Sequence, residues 1–198
     1  MFTGIVTDVG RISEVTDFDG DKTIVINMES IPTDDLDVGD SICVNGVCLT
    51  VTRIETDLIY LDVSAETLAC TNFNQYKAGT RVNIEKAMLL DTRLNGHLVS
   101  GHVDCVAKIG SITEDGRSVR YEIILPEDYL QYVCKKGSIC IDGVSLTIND
   151  TAGTNISVNI IPQTIVKTIF SDYVEGSLVN VEVDIVARYL EALIKPYR

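Results

Sequence analysis

Apolar residues along the chain come in short runs, and several runs alternate with polar positions: KTIVINM at 22–28, LIYLDV at 58–63, VRYEIIL at 119–125, NISVNII at 155–161 and LVNVEVDIV at 178–186. A period of two sends successive side chains to opposite faces, so these segments predict β-strands. They are rich in β-branched residues and separated by Gly, Asp and Asn turns, which points to a sandwich or a small barrel. Asn45-Gly46 and Asp142-Gly143, each flanked by apolar residues, predict tight type I′ hairpins. On the strand after the first turn, Cys48 and Thr50 share one face while Leu49 and Val51 take the other, and Ser145 and Thr147 repeat the arrangement. The period changes only near the carboxyl end. There Val186, Leu190, Leu193 and Ile194 form an amphipathic helical stripe.

The pattern occurs twice. Residues 41–51 read SICVNGVCLTV and residues 138–148 read SICIDGVSLTI, identical at seven of eleven positions, with two of the changes Val to Ile. The spacing of 97 persists downstream, where Gly79 matches Gly176 and VNIE from Val82 matches VNVE from Val179. A period this long is a duplicated domain rather than a solenoid repeat. At the amino ends, Val6–Gly10 set against Val106–Gly110 gives a spacing of 100 and implies three residues gained or lost. The expected organisation is a first all-β barrel over 1–90, a second over 91–186 and a helix over 187–198, with AMLLDTRLNGHLVSGH as the connection.

At 198 residues, 45% hydrophobic and 23% charged, the chain is long enough for two cores. A net charge of −13 without any Lys/Arg cluster argues against a nucleic-acid partner. The opening MFTGIVTDVG lacks the basic and apolar pattern of a signal peptide, and no apolar run approaches a bilayer span. A cytoplasmic protein with no membrane association is expected. The six cysteines then read as reduced thiols, since they show neither CxxC nor zinc-like spacing.

MFTGIV, NGVCLTV, GHLVSGHVD and DGVSLT, in that order, resemble the riboflavin synthase family, and the resemblance covers essentially the whole chain. It implies two six-stranded Greek-key β-barrels and a carboxyl-terminal helix that assembles a homotrimer. It also implies an enzyme that moves a four-carbon unit between two molecules of 6,7-dimethyl-8-ribityllumazine, giving riboflavin and 5-amino-6-ribitylaminopyrimidinedione, with no cofactor and no metal. An association with lumazine synthase is left open. Such chemistry gives the duplication a physical reading, because two copies of one substrate must meet. Holding two reactants in an attack-ready pose contributes up to ~7–11 kcal/mol, against a factor of ~10²–10⁴ from one general acid or base. In the family the sites lie between the first barrel of one subunit and the second barrel of its neighbour.

The resemblance implies catalytic roles for Cys48, His102, Ser145 and Asp184, with Cys48 lining the donor site. A small core side chain is the ordinary reading of a cysteine, but polar atoms recur on its strand face in both copies, where a barrel interior would want none. His97 and His102 are the only histidines. Their spacing of five argues against a shared metal site, and an imidazole titrating near neutrality suits His102 as the base for an acidic ring methyl group, with His97 left to a structural or supporting role. The implied pocket lining comprises Phe2, Ser41, Leu49, Thr50, Lys136, Leu146 and Thr147, with the segments Asp62, Val63, Ser64, Ala65, Glu66, Thr67 and Asn159, Ile160, Ile161, Pro162, Gln163, Thr164. Thr67 and Thr164 would take ring or ribityl hydroxyls, whereas Gly4, Ile5, Val6, Gly101 and Val103 would act through backbone groups on the ring edge. Asn95 stands where the family commonly has glycine, and a left-handed Asn would preserve the turn.

The competing reading is a binding protein of the same fold, like the lumazine and flavin antenna proteins of luminous bacteria. Such relatives tend to lose the polar set of one barrel or the GHLVSGH segment, and both are present here.

Overall fold

The alternating segments become twelve strands in the computed structural model, which describes residues 1–28 and 30–195. β1 (Asp8–Phe18), β2 (Asp21–Asn27), β3 (Ser41–Val44), β4 (Val47–Glu55), β5 (Leu58–Val63) and β6 (Arg81–Lys86) close in the order 1-2-5-4-3-6. β7 (Cys105–Asp115), β8 (Ser118–Ile124), β9 (Ser138–Ile141), β10 (Val144–Ala152), β11 (Asn155–Ile160) and β12 (Leu178–Val183) close a second barrel in the same order. All pairings are antiparallel. Both barrels bend their long strands at equivalent bulges, between Ile12 and Glu14 and between Ile109 and Ser111.

Every strand of the second copy begins and ends 97 residues after its counterpart. The shift of three at the amino ends is therefore wrong. Ile12 and Ile109 are equivalent: both are fully buried, and their carbonyls accept from Gly79 and Gly176 at 2.8 Å. Matching Gly10 to Gly110 pairs two chance recurrences of Val-x-x-x-Gly on strands whose outward side chains are free to vary.

Each barrel is filled from its own strands, the first around Ile26, Ile59 and Leu61 and the second around Ile123, Ile139 and Val158. Burying each such side chain contributes ~1.5–3 kcal/mol. β3, β6, β9 and β12 are buried on both faces. Val82 and Ile84 point into the first barrel, whereas Asn83 and Glu85, the polar half of the alternation, point away from its core and are buried too.

The hairpin tips meet between the barrels. Asn45 (φ 44°) and Gly46 (φ 81°) face Asp142 (φ 42°) and Gly143 (φ 81°), and a Cβ on Gly46 would lie 2.9 Å from the Gly143 nitrogen. Around them Asn83 donates to the Asp142 carbonyl at 2.8 Å, and Asn180 donates to the Asn45 carbonyl at 2.9 Å. Asn45 Nδ2 donates to the Tyr76 hydroxyl at 2.7 Å, while at the related place the Tyr173 hydroxyl donates to the Asp142 carboxylate. The contrast of Asn45 with Asp142 thus belongs to the barrel interface. It does not distinguish two ligand sites.

Short helices α1 (Ala65–Cys70) and α2 (Pro162–Lys167) follow β5 and β11. The final helix, α3 (Ile185–Ile194), begins where Asp184 accepts from the Val186 N–H at 3.0 Å. Residues 196–198 of the expected helix lie outside the described residues. Val186, Tyr189, Leu190 and Leu193 are more than half exposed on α3. All six cysteines are free, and no helix among the described residues is long and apolar enough to cross a membrane.

Candidate functional site

Cys48 and Ser145 sit at equivalent points of β4 and β10, half-buried on the outward face, with Thr50 and Thr147 exposed beside them. The parity that turns them outward turns Leu49 inward, and Val63 and Ile160 are likewise core residues, while Leu146 packs against the second core. At Leu49, Val63 and Ile160 the side chain is turned away from any ligand, whereas that of Leu146 stays half-exposed.

Each outward face is covered by a segment tied to the other barrel. Residues 2–4 and 97–99 pair with each other, Phe2 N–H to the Val99 carbonyl at 2.8 Å and His97 N–H to the Thr3 carbonyl at 3.1 Å. The Gly4 carbonyl accepts from Ser145 N–H at 2.7 Å, and the Gly101 carbonyl accepts from Cys48 N–H at 2.8 Å. The amino terminus therefore lies on the second barrel's hairpin, and the connecting segment on the first's. Two buried carboxylates hold these segments. Glu85 accepts from Thr3 N–H and hydroxyl, both at 2.7 Å, and from Gly4 N–H at 3.0 Å. Glu182 accepts from Ser100 N–H and hydroxyl, both at 2.7 Å, and from the N–H groups of Gly101 and His102 at 2.8 and 3.1 Å. Burial pushes the Glu85 carboxyl above its ordinary range, opposed by the bonds from Thr3 and Gly4. Both glutamates stand in the VNIE and VNVE motifs. The repetition is visible in the sequence, but the alternation marks them as a solvent face.

Gly4 (φ 73°) and Gly101 (φ 80°) adopt left-handed backbone against these hairpins, and a Cβ on Gly101 would stand 2.5 Å from that of Cys48. Their N–H groups are taken by glutamate and their carbonyls by Ser145 and Cys48, so their expected role on the ring edge is filled by other work. Val6 and Val103 make no backbone hydrogen bond among the described residues, and they are the edges a bicyclic ring could meet. Asn95 is not left-handed. The turn depends instead on Gly96, whose Cβ would fall 2.1 Å from the Thr3 carbonyl oxygen.

The two sites differ in their polar groups. At the second, His97 Nδ1 lies 2.7 Å from Ser145 Oγ. Burial lowers the His97 pKa from its ordinary value, and the nearby Asp184 charge opposes that shift. The expected supporting role of His97 is thus direct contact with a site hydroxyl, which a strand-or-helix reading of the pair could not show because residues 97–102 form neither. Lys136 is exposed with φ 71° where the first copy has Gly39, a left-handed strain of ~1–3 kcal/mol for a residue with a Cβ. At the first site His102 is exposed beside Gly101, and its equivalent at the second site is Ile5. Phe2 is fully buried with Cys43, Val99 and Cys140, and Cys48 packs on the edge of that cluster, so Phe2 backs the first site without lining it.

The outer parts of the expected pockets are exposed strand ends. Thr23 donates to Asp62 at 2.8 Å, and Ser64 caps α1, its hydroxyl 3.0 Å from that of Thr67. Ala65 and Glu66 are exposed in the first turn of α1. In the second copy Asn159 donates to Asp115 at 2.7 Å, its Oδ1 has no partner among the described residues, and Ile161, Pro162 and Gln163 are exposed ahead of Thr164. Ser41 pairs with Thr50 across β3 and β4 and borders a cavity of about 310 Å³ with Asp40, Lys86 and Met88. A cavity of about 240 Å³ lies under α3 between Tyr132 and Leu190. Neither cavity is lined by Cys48 or Ser145, which stay half-buried beside their covering segments.

A family model described as lumazine binding domain matches the chain twice, over residues 3–87 and 100–184. Riboflavin synthase of Photobacterium phosphoreum is 44% identical over 98% of this chain and 89% of its own length, and that of Bacillus subtilis is 40% identical over 96% and 88%. Among solved structures, LumP complexed with riboflavin superposes with a TM-score of 0.84 at 29% identity, covering 92% of this chain and 99% of LumP. LumP complexed with 6,7-dimethyl-8-(1'-D-ribityl) lumazine gives 0.82 at 28% identity over the same shares.

Proposed function

The chain belongs to the riboflavin synthase family of paired lumazine-binding domains, and on that premise we propose that its two matched polar faces hold the two substrate molecules of riboflavin synthesis. One 6,7-dimethyl-8-ribityllumazine gives up a four-carbon unit and the other receives it, yielding riboflavin and 5-amino-6-ribitylaminopyrimidinedione, so the enzyme is a transferase. The observation that carries this reading is the matched pair of faces, built by the same strands and covered by the same swapped segments, yet furnished unequally. Cys48 stands at one, with His102 next to its covering Gly101, and Ser145 at the other, with His97 and the nearby Asp184. Equivalent shapes suit two copies of one molecule, and unequal polar groups suit its two roles.

His102 acts as the base that takes a proton from the ring methyl, and Ser145 with His97 holds and returns a proton at the opposite face. The largest contribution is positional, since two bulky reactants must be stacked before any proton moves. In this reading the first barrel of one chain meets the second barrel of another, and the exposed apolar residues of α3 supply the contact that makes a homotrimer. The free thiols suit a reducing, cytoplasmic location. Any contact with lumazine synthase would use surfaces outside these faces.

Incubating the purified chain with dimethylribityllumazine and following riboflavin absorbance tests the reading, and conversion at catalytic enzyme concentration is expected. Tight binding of lumazine without conversion would establish the alternative, a binding protein like LumP. The greater identity to synthases, 37–44% against 28–30% for the LumP chains, favours conversion.

A further inference from the structure

His102 is held entirely by its peptide. Its side chain is exposed and makes no hydrogen bond among the described residues, so the direction of the imidazole depends on how firmly the backbone beneath it is fixed. That backbone is gripped from both ends. Its N–H donates to Glu182 at 3.1 Å and to the Ser100 hydroxyl at 3.3 Å, while its carbonyl accepts from Arg188 Nη2 at 3.0 Å. Arg188 is on α3 and is itself oriented by Asp104, 2.8 Å away, whose same oxygen accepts from the Val183 N–H at 2.8 Å.

Comparison of the copies separates the two grips. The glutamate is duplicated, as Glu85 holds Thr3 and Gly4 just as Glu182 holds Ser100 and Gly101. The arginine is not. Ninety-seven residues before Arg188 stands Asp91, before Asp104 stands Thr7, and before His102 stands Ile5. The Ile5 carbonyl has no hydrogen-bond partner among the described residues. A second grip is thus present only at the copy that carries a titratable ring.

We propose that Arg188 is a positioning residue for His102, and that through it the carboxyl-terminal helix sets the aim of the base at the first site. The inference rests on the functional reading above for the role of His102, though not for the geometry. It makes the ordering of α3 a condition of catalysis separate from any part α3 has in assembly. The helix has another tether to its barrel, the Tyr132 hydroxyl on Glu191, which touches nothing at His102.

The test compares Arg188→Ala with Tyr132→Phe in the full chain, by steady-state kinetics with dimethylribityllumazine, sedimentation, and the ring signals of the two histidines by NMR. Arg188→Ala should lower kcat by ~10-fold or more with KM within ~2-fold, because misplacing a catalytic group costs rate before it costs binding. It should also shift or broaden the His102 ring signal while leaving that of His97 in place. Tyr132→Phe should change neither. Arg188→Lys, whose ammonium can meet the same two oxygens, should restore most of the rate and the His102 signal, and it keeps the test decisive if the alanine variant fails to fold. The proposal is overturned if Arg188→Ala leaves kcat and the His102 signal unchanged. It is equally overturned if Tyr132→Phe reproduces the loss, since helix docking alone would then account for it. A wild-type chain that converts no lumazine would refute the functional reading, while the NMR comparison would still decide the grip on His102.

Discussion

Replacing Asp142 by asparagine should stabilise the protein above neutral pH, and by an amount that depends on pH. The carboxyl is fully buried between the barrels, and burial raises its pKa from 3.8 to about 7 against the bonds from Tyr173 and Asn180. Between those values the folded chain keeps a proton that the unfolded chain has released. Stability therefore falls as pH rises through this window and levels off above about 7. A difference of about three units at ~1.4 kcal/mol each sets a ceiling near ~4 kcal/mol. The copies show what asparagine does in this place. Asn45 accepts from Asn83 N–H at 2.6 Å and donates to the Tyr76 hydroxyl, so the amide introduced by Asp142→Asn can accept from Asn180 N–H and donate to Tyr173 with the network preserved. Denaturant melts of both proteins from pH 5 to 8.5 should show the variant gaining on the wild type as pH rises and ahead of it at pH 8. A variant less stable at pH 8, or a difference that does not change with pH, would refute the reasoning and mean that the carboxylate is stabilised in its charged form.

Cys48→Ser, which makes the first face resemble the second, should cut turnover strongly while ligand titration still finds two sites per chain, and Ser145→Cys should not give the mirror result; equal small losses would mean that the asymmetry is drift. Gly101→Ala should cost ~2–5 kcal/mol in a thermal melt and empty the first site, since both the backbone at φ 80° and the 2.5 Å approach to Cys48 oppose a methyl group; an unchanged melting temperature would place the segment elsewhere. Truncation after Ala187 should lower both the assembly state and the activity while near-unchanged far-UV circular dichroism reports folded barrels, and a truncated chain that sediments as the full one does would detach α3 from assembly.

The duplication, the barrels, the type I′ hairpins and the outward placement of Cys48 and Ser145 are all legible in the sequence, because each depends on local spacing. The interface is not. Alternation tells which residues share a face but not what the face meets, so Asn83, Glu85, Asn180 and Glu182 read as solvent positions although they are buried. Asn45-Gly46 likewise announces a turn, and turns are usually wet, but this tip is sealed against its own counterpart. Sequence spacing undervalues His97 for a related reason: its partner Ser145 is 48 residues away and belongs to a barrel that periodicity alone does not bring near. The positions carried over from the family are placed best where side chains point outward, and least well at Leu49, Val63 and Ile160, which the strand parity already assigns to the core.

The exchange of covering segments also imposes an order on synthesis. As the chain leaves the ribosome, the first barrel has all six of its strands once Lys86 has emerged, yet Cys48 still lacks its cover. That cover comes with Gly101 and is fastened only when Glu182 and Arg188 appear, 81 and 87 residues later. Gly4 waits likewise for Ser145 before its carbonyl has a donor. A nascent or prematurely ended chain can therefore hold a folded barrel without a finished site. In an unfinished copy that cover is still loose, and the last of its hydrogen bonds comes from Arg188, in the first turn of α3.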